Sequence, residues 1–203
     1  MGFADYTELQ AAVASWLVRN DLTASIVDFI TLAEKKLNLE LRVRDMVTRA
    51  TGSLVAATQE IALPADFEGV DLLWLETSPV QVLTEMAASE GRRRFGTIVE
   101  QPRFFTVVGS NLVVFPTPGA VADYVLDYFA DIPALSDAEP TNWLLVKAPQ
   151  LYLYGALLEA TPFLQDDARI TLWESKYEQA KTALHAADRR ARVVQGPRSA
   201  RVA

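Results

Sequence analysis

The sequence predicts a mainly α-helical protein with a β insertion, an α+β fold in which a helical bundle of about four helices is interrupted by an antiparallel β-rich region. Three observations lead to this fold class. Apolar residues recur with helical spacing before residue 50 and after residue 134. Prolines, glycines and short apolar runs crowd the stretch between them. An aromatic seam then runs through the last helical stretch, and burying that seam requires other helices.

Two amphipathic helices are predicted before residue 50. Thr7 and Gln10 have the three-residue spacing of a capping box, so the first helix should begin there and end near residue 19. A second helix should start close to Thr23 and run to about Arg44. Its charged residues fall on one side, which is typical of a face in contact with water. These residues are Glu34, Lys35, Lys36, Glu40 and Arg42.

The stretch between Thr51 and Pro133 predicts strands rather than helices. It contains six prolines and six glycines, too many for helices of ordinary length. The clearest hairpin pairs Phe104–Val108 with Asn111–Phe115 across a two-residue link that contains Gly109. Such a link between β-rich runs is a strong local hairpin signal.

Residues 136–190 predict a helical hairpin with a continuous seam. In its second arm Ile170, Trp173, Tyr177, Ala180, Leu184 and Ala187 recur at steps of three or four, as in the a and d positions of a heptad. Thr161-Pro162 separates this arm from the first. We therefore expect five seam residues to hold the bundle or a contact between subunits: Trp143, Tyr154, Trp173, Tyr177 and Leu184.

Four segments follow from this pattern. We expect N-terminal bundle helices in residues 1–50, the β-rich insertion in 51–133, the C-terminal helical hairpin in 134–190 and a basic tail in 191–203. The first and last helix pairs each have one apolar face to bury, so they should pack together.

The composition argues against an enzyme. The chain has no cysteine, and His185 is its one histidine, so a zinc site would need mostly carboxylates. No glycine-rich phosphate loop and no Gly-x-Ser-x-Gly motif occurs. No apolar run approaches the roughly 18 residues of a membrane span, and the N-terminus lacks a signal-peptide pattern. We expect no catalytic residues, no metal, no cofactor, no membrane partner and synthesis in the cytoplasm.

Arginines cluster in two places. The chain carries a net charge of −7, yet its last fifteen residues contain five arginines and no acid. Arg92-Arg93-Arg94, between Gly91 and Phe95, predicts a basic loop in the insertion. Both clusters could be ordinary solvated ends and loop tips, or they could contact phosphates or an acidic partner surface. The terminal arginines are Arg189, Arg190, Arg192, Arg198 and Arg201.

Several blocks, taken in order along nearly the whole chain, resemble the head-to-tail adaptor proteins of tailed bacteriophages and gene-transfer particles, also called head-completion or connector proteins. The order and spacing of the blocks carry the resemblance, and no single motif does. They are Tyr6–Leu9, Asp28–Glu34, Leu39–Arg42, Leu63–Phe67, Pro116–Pro118, Ile132–Asp137, Pro140–Leu145 and Tyr152–Ala160.

The resemblance implies a structural adaptor that binds as a ring of twelve copies under the phage portal after DNA packaging. The ring would extend the DNA channel and present a platform to the stopper or tail. Its partners would be the portal protein, neighbouring adaptor subunits, a stopper or tail protein, and the packaged DNA that passes through the channel. The protein would lie at the head–tail interface of the virion.

By position alone, the resemblance assigns portal docking to residues 189–203 and their arginines. Loops of the β insertion would face the tail, with Arg92, Arg93 and Arg94 as the candidates. An alternative follows from the residues themselves: a nucleic-acid-binding module that uses Arg92–Arg94 and the basic tail.

Overall fold

The computed structural model of the chain describes residue 3 and residues 5–18, 22–164 and 168–193. The chain divides into two compact units. The helical unit combines Met1–Asp45 with Ile132–Ala203, and the strand unit is Met46–Asp131. Each unit has its own core.

The described residues form six α-helices and three single turns of 3-10 helix. The α-helices are α1 (Tyr6–Leu17), α2 (Ile26–Glu40), α3 (Ala88–Phe95), α4 (Trp143–Lys147), α5 (Pro149–Glu159) and α6 (Ile170–Val193). The 3-10 turns are Thr23–Ser25, Arg44–Met46 and Thr161–Phe163. Helix α3 lies in the strand unit, and the other five α-helices lie in the helical unit.

Side chains and prolines set the helix ends in the helical unit. The carboxylate of Asp5 accepts a hydrogen bond from the backbone N–H of Glu8 at 2.9 Å and begins α1, so the predicted capping box at Thr7 and Gln10 is wrong. Asn142 begins α4 in the same way, accepting from the N–H of Leu145 at 2.8 Å. Pro149 has no N–H to donate to the preceding turn, so α4 cannot continue through it. Pro149 is instead the first residue of α5.

Helix α5 is the centre of the helical unit. Helices α1, α2 and α6 all pack against it, and it therefore buries residues on nearly every side rather than along one stripe. Its buried residues are Leu151, Tyr152, Leu153, Gly155, Ala156 and Leu157. An apolar helix surrounded by partners in this way is a core helix.

Ten strands form three sheets in the strand unit. One sheet has the order β1-β10-β3-β4, a second has the order β2-β8-β7-β5, and β6 pairs with β9. The two larger sheets share a core that includes Leu73, Leu75, Leu112, Val114 and Leu126. The strands are β1 (Val47–Leu54), β2 (Glu60–Ala62), β3 (Phe67–Leu75), β4 (Gln81–Val82), β5 (Thr84–Glu85), β6 (Val99–Glu100), β7 (Phe104–Val108), β8 (Asn111–Phe115), β9 (Thr117–Pro118) and β10 (Ala122–Ala130).

The predicted hairpin is confirmed as β7 and β8. The two strands pair in antiparallel register, and Gly109 in the link has φ of +61°, a backbone conformation that favours glycine. Helix α3 packs against this hairpin. A Cβ at Gly91 would lie 2.4 Å from the Phe115 ring, so that position leaves no room for a side chain.

The predicted fold class is wrong in two respects. Strand makes up about 26% of the structure and helix about 45%, so the fold is α+β with a large β-rich region, in which β5–β7 and β6–β9 pair in parallel. The helical unit is also not a clear four-helix bundle. Helix α5 has 11 residues and α6 has 24, so α5 can pack along less than half of α6.

Candidate interaction surfaces

The N-terminal half of α6 is sealed against the rest of the helical unit. Trp173 is 1% exposed and Tyr177 is 2% exposed. Gly155 on α5 permits the close packing, because a Cβ there would lie 3.1 Å from the Cβ of Ala33 on α2 and 3.6 Å from the Tyr177 ring.

The other predicted seam residues lie nearer the surface. Tyr154 is half-buried, and its ring meets that of Trp16 edge-on with the centroids 5.8 Å apart. Trp143 is half-buried at the first residue of α4. Leu184 is half-buried, and it lies in an open groove rather than in the core. The structure therefore separates the five residues into a sealed part and an open part.

Charged groups surround Tyr177. Its hydroxyl donates to Glu40 at 3.1 Å, and the Lys181 ammonium lies 2.9 Å from the same carboxylate. The ammonium groups of Lys36 and Lys181 both lie over the Tyr177 ring. Burial opposes ionisation of Glu40, but the hydrogen bonds from Lys181 and Tyr177 outweigh it and lower the pKa of that carboxyl. These contacts join α2 to α6.

A second polar cluster is buried beside α5, and the sequence prediction missed it. Glu34 was placed on the solvated face of α2, yet it is 7% exposed. Its carboxylate accepts the N–H of Leu135 at 2.8 Å and the hydroxyl of Tyr152 at 3.4 Å. Asn142 donates to the carbonyl of Pro133 at 2.7 Å and lies 2.6 Å from the Tyr152 hydroxyl. The cluster thus ties the segment that follows Ile132 to α2 and α5.

The environment of this cluster changes its ionisation. Burial raises the pKa of Glu34, although the hydrogen bonds from Leu135 and Tyr152 act in the opposite direction. Burial also raises the pKa of Tyr152 well above its usual range. One signal in the sequence could have found Glu34: it lies four residues after Ile30 and three before Leu37, both of them buried, and so on the apolar stripe of α2.

Beyond Tyr177, α6 extends past α5 and leaves a groove open. At about 1.5 Å per residue, α6 is more than twice as long as α5. The groove has a volume of about 360 Å³. We call it the α6 groove, and its floor consists of Ala180, Ala183, Leu184, Ala187 and Ala191.

One hydrogen bond and one salt bridge hold the walls of the α6 groove. Asp188 accepts the backbone N–H of Arg44 at 2.9 Å, and the Lys147 ammonium forms a salt bridge with Asp45. Gln150 completes the wall near the start of α5. The walls therefore carry two positive and two negative side chains.

The predicted portal-binding arginines lie partly within the described residues. Arg192 pairs with Asp188 at 2.9 Å, and the Arg190 side chain donates to the carbonyl of Ala186 at 3.2 Å. Arg189 is exposed and has no ion pair among the described residues. Arg198 and Arg201 lie outside the described residues.

Arg92, Arg93 and Arg94 were predicted to lie in a loop, and the prediction is wrong: they lie in the last turn of α3. Basic side chains are favoured there because the helix dipole places negative charge at the C-terminal end. Arg94 pairs with Glu90 at 3.2 Å. Arg92 and Arg93 are exposed, and neither has an ion pair within the part of the chain that the structure describes.

Within the described ranges, no three His, Cys, Asp or Glu side chains come together in a way that could hold a metal ion. No helix in that part of the chain is long and apolar enough to cross a membrane.

Comparison with protein families finds a match over almost the whole chain. The family model described as SU10 adaptor protein matches residues 4–201. No curated protein matches the chain.

Proposed function

The chain belongs to the SU10 adaptor protein family, a family of phage head-to-tail adaptors, and from that membership we propose that it forms a ring beneath the phage portal. The family identity makes the protein a phage adaptor and a component of the virion, and it confirms the resemblance found in the sequence. The ring would assemble after DNA packaging, contain twelve copies and act without catalysis.

The family match is the observation that carries this proposal, because it covers residues 4–201 in a chain of 203. The separation of the chain into two compact units is compatible with it. One unit can meet neighbouring subunits and the portal while the other offers a platform to the stopper or tail. In a ring, each subunit offers one face to one neighbour and a different face to the other, and the ring closes without edges.

Portal docking is assigned to the basic end of the chain: Arg189, Arg190 and Arg192 on α6, with Arg198 and Arg201 beyond it. Arginine suits such a contact because its planar guanidinium binds carboxylates in two-point geometry. Arg189 is exposed without an ion pair among the described residues, so its guanidinium is available to a carboxylate of a partner protein.

Contact with the stopper or tail is assigned to the strand unit, with Arg92, Arg93 and Arg94 as candidates. Arg92 and Arg93 support this role more than Arg94, because Glu90 already pairs with Arg94. Apart from these arginine clusters the chain is acidic. An acidic channel wall would repel the phosphates of passing DNA rather than retain them.

The test is capture of the chain by its portal ring. Three forms would be compared: full length, cut after Val193 and cut after Asp188, with the mass of the recovered complex measured. We expect about one copy per portal subunit for the full-length chain. The cut after Val193 keeps α6 whole, so loss of capture at that cut would assign docking to residues 194–203. Loss only at the second cut would assign it to the last turn of α6, and full capture by both shortened forms would refute a basic anchor.

Arg92 and Arg93 favour a second candidate function, binding of nucleic acid. That reading predicts DNA binding that weakens steeply with salt, by a log–log slope of about −0.9 for each phosphate contacted. DNA binding of this kind without portal capture would favour the nucleic-acid module over the adaptor ring.

A further inference from the structure

We propose that the α6 groove of each subunit receives the loop Pro133–Pro140 of the next subunit in the ring. This inference rests on the proposed ring and names the two surfaces that would form it. Among the described residues, no other segment of the subunit covers either surface. The two differ in kind: one is a groove with a basic rim, and the other is an exposed acidic loop.

The groove continues a seam that the subunit only half fills. Trp173, Tyr177, Ala180, Leu184, Ala187 and Ala191 follow one another at steps of four and three along α6. The first two are large and are sealed inside the helical unit. The smaller side chains that follow leave the groove open, because α5 contributes only Gln150 to its wall. Small side chains let another backbone approach the helix closely, so the groove suits a narrow segment.

The rim of the groove favours an acidic occupant. Within the walls, Lys147 pairs with Asp45, and Asp188 pairs with Arg192 and accepts the backbone N–H of Arg44. Arg189 and Arg190 follow directly on the exposed side of α6, and neither forms an ion pair among the described residues. The excess charge beside the groove is therefore positive, and complementary charge steers the partner and sets its register.

The loop Pro133–Pro140 has the matching chemistry. Asp137 and Glu139 are exposed, and so are Ala134 and Ala138 beside them. Alanines of the loop can enter a floor of alanines while the two carboxylates meet Arg189 and Arg190 of the rim, which leaves Arg192, Arg198 and Arg201 of the basic end for the portal. The loop thus offers a small apolar surface and acid together.

The loop is also held in place before it meets a partner. The Ser136 N–H donates to the carbonyl of Glu139 at 3.0 Å, and the Glu139 N–H donates to the Ser136 hydroxyl at 3.0 Å. The Tyr6 N–H donates to the carbonyl of Pro140 at 2.8 Å. A segment that is already ordered loses less entropy on binding.

The surroundings of the loop strengthen its negative field. Its hydrogen bond with Tyr6 places it beside the start of α1, where Asp5 and Glu8 add two carboxylates. No lysine or arginine occurs in 5–18, 22–34 or 132–142. The chain therefore presents an acidic face and a basic face on one subunit, and copies that join unlike faces form a heterologous contact that can close into a ring.

The test uses the absence of native cysteine. The variant Ala187→Cys with Ala138→Cys is assembled on the portal ring, treated with a short bis-maleimide and separated under denaturing conditions. We expect a ladder of covalent multimers that rises to the complete ring. Neither single variant should form dimers, because each groove contacts the loop of the next subunit and two copies of the same cysteine never lie side by side. The matched control pairs Ala187→Cys with Ala120→Cys, an exposed alanine of the strand unit, and should form no ladder.

Each other outcome overturns the proposal. Dimers from Ala187→Cys alone would mean that two grooves face each other. Cross-links from Ala187→Cys to the portal, or only within one chain, would give the groove a different occupant. A ladder of equal strength from the control would mean random collision. Portal capture is measured in the same sample. Capture without a ladder refutes the contact between groove and loop and leaves the proposed function standing. A ladder without capture supports that contact and refutes docking on the portal.

A charge reversal tests the acidic side without altering the basic end of α6. In the double-cysteine background, Asp137→Lys with Glu139→Lys should reduce the yield of the ladder at least tenfold. Glu60→Lys with Glu85→Lys, exposed acids of the strand unit, should leave it unchanged. A ladder that survives the reversal of Asp137 and Glu139 would refute the charge pairing.

Discussion

The same steps of three and four residues run through both halves of α6, but only the N-terminal half is packed inside the helical unit. Around Trp173 and Tyr177 the helix is sealed, with a tryptophan at 1% exposure and an ionic cluster that joins it to α2. From Ala180 to Ala191 the same spacing forms the floor of an open groove. Heptad spacing therefore indicates which face of a helix will be covered, but the length of its neighbours decides whether the same subunit covers it.

The largest expected effect is in the sealed half. Trp173→Ala removes a fully buried indole and should lower the free energy of unfolding by about 3–5 kcal/mol. Denaturant unfolding of the full chain would measure this loss. Leu172→Ala, an exposed neighbour, is the matched control and should change little. Equal effects at the two positions would contradict the burial of Trp173 in the sealed half.

The buried polar cluster beside α5 should come next. Asn142→Ala removes the cap of α4 and leaves the Tyr152 hydroxyl and the Pro133 carbonyl without this partner. We expect a loss of about 1–3 kcal/mol, the usual cost of leaving buried polar groups unpaired. Thr141→Ala, one residue earlier and exposed, serves as the control. A variant at Asn142 as stable as that control would show that the cluster contributes nothing.

Two carboxylates of α2, Glu34 and Glu40, should give pH effects of opposite sign. Burial raises the pKa of Glu34, so its stabilising contribution is complete below the unfolded pKa and is lost as pH rises through the folded pKa. The pKa of Glu40 is lowered, so its contribution is present above the unfolded pKa and is lost as pH falls through the folded pKa.

Unfolding of Glu34→Gln and Glu40→Gln across acidic to neutral pH separates the two cases. Relative to wild type, Glu34→Gln should gain stability as pH rises, because it lacks the carboxylate that burial disfavours. Glu40→Gln should be less stable than wild type near neutral pH and should approach it in acid. The same trend in both variants would contradict the assigned environments.

The smallest effect on folding is expected in the open half. Ala187→Leu adds a larger side chain on an exposed part of the groove and should change the free energy of unfolding by no more than about 0.5 kcal/mol. It should nevertheless reduce assembly of the ring, which the mass of the portal complex would report. Normal assembly of the Ala187→Leu variant would show that the groove stays empty.

Local spacing accounts for what the sequence predicted well. Periods of three and four indicated the helices on both sides of the strand unit, and the link at Gly109 indicated the β7–β8 hairpin, because each feature depends on residues close together in the chain. The order of short blocks led to the adaptor family. The assignments to portal and tail made from arginine clusters stay predictions.

Long-range contacts account for what the sequence did not reveal. Glu34 looked like a solvated helix residue, but the N–H that donates to its carboxylate lies 101 residues away at Leu135. Arg92–Arg94 looked like a loop because only packing on the β7–β8 hairpin shows that α3 continues through them. The bundle was predicted from spacing alone, which does not reveal that α5 is short.

By itself the sequence determined that helices lie on both sides of the strand unit, the main hairpin and the family, since these follow from residue order and local chemistry. Only the tertiary structure decided which polar groups are buried, which half of the seam is filled and where a groove stays open. Burial depends on which surfaces meet, and that is set by helix lengths and contacts between segments far apart in the chain.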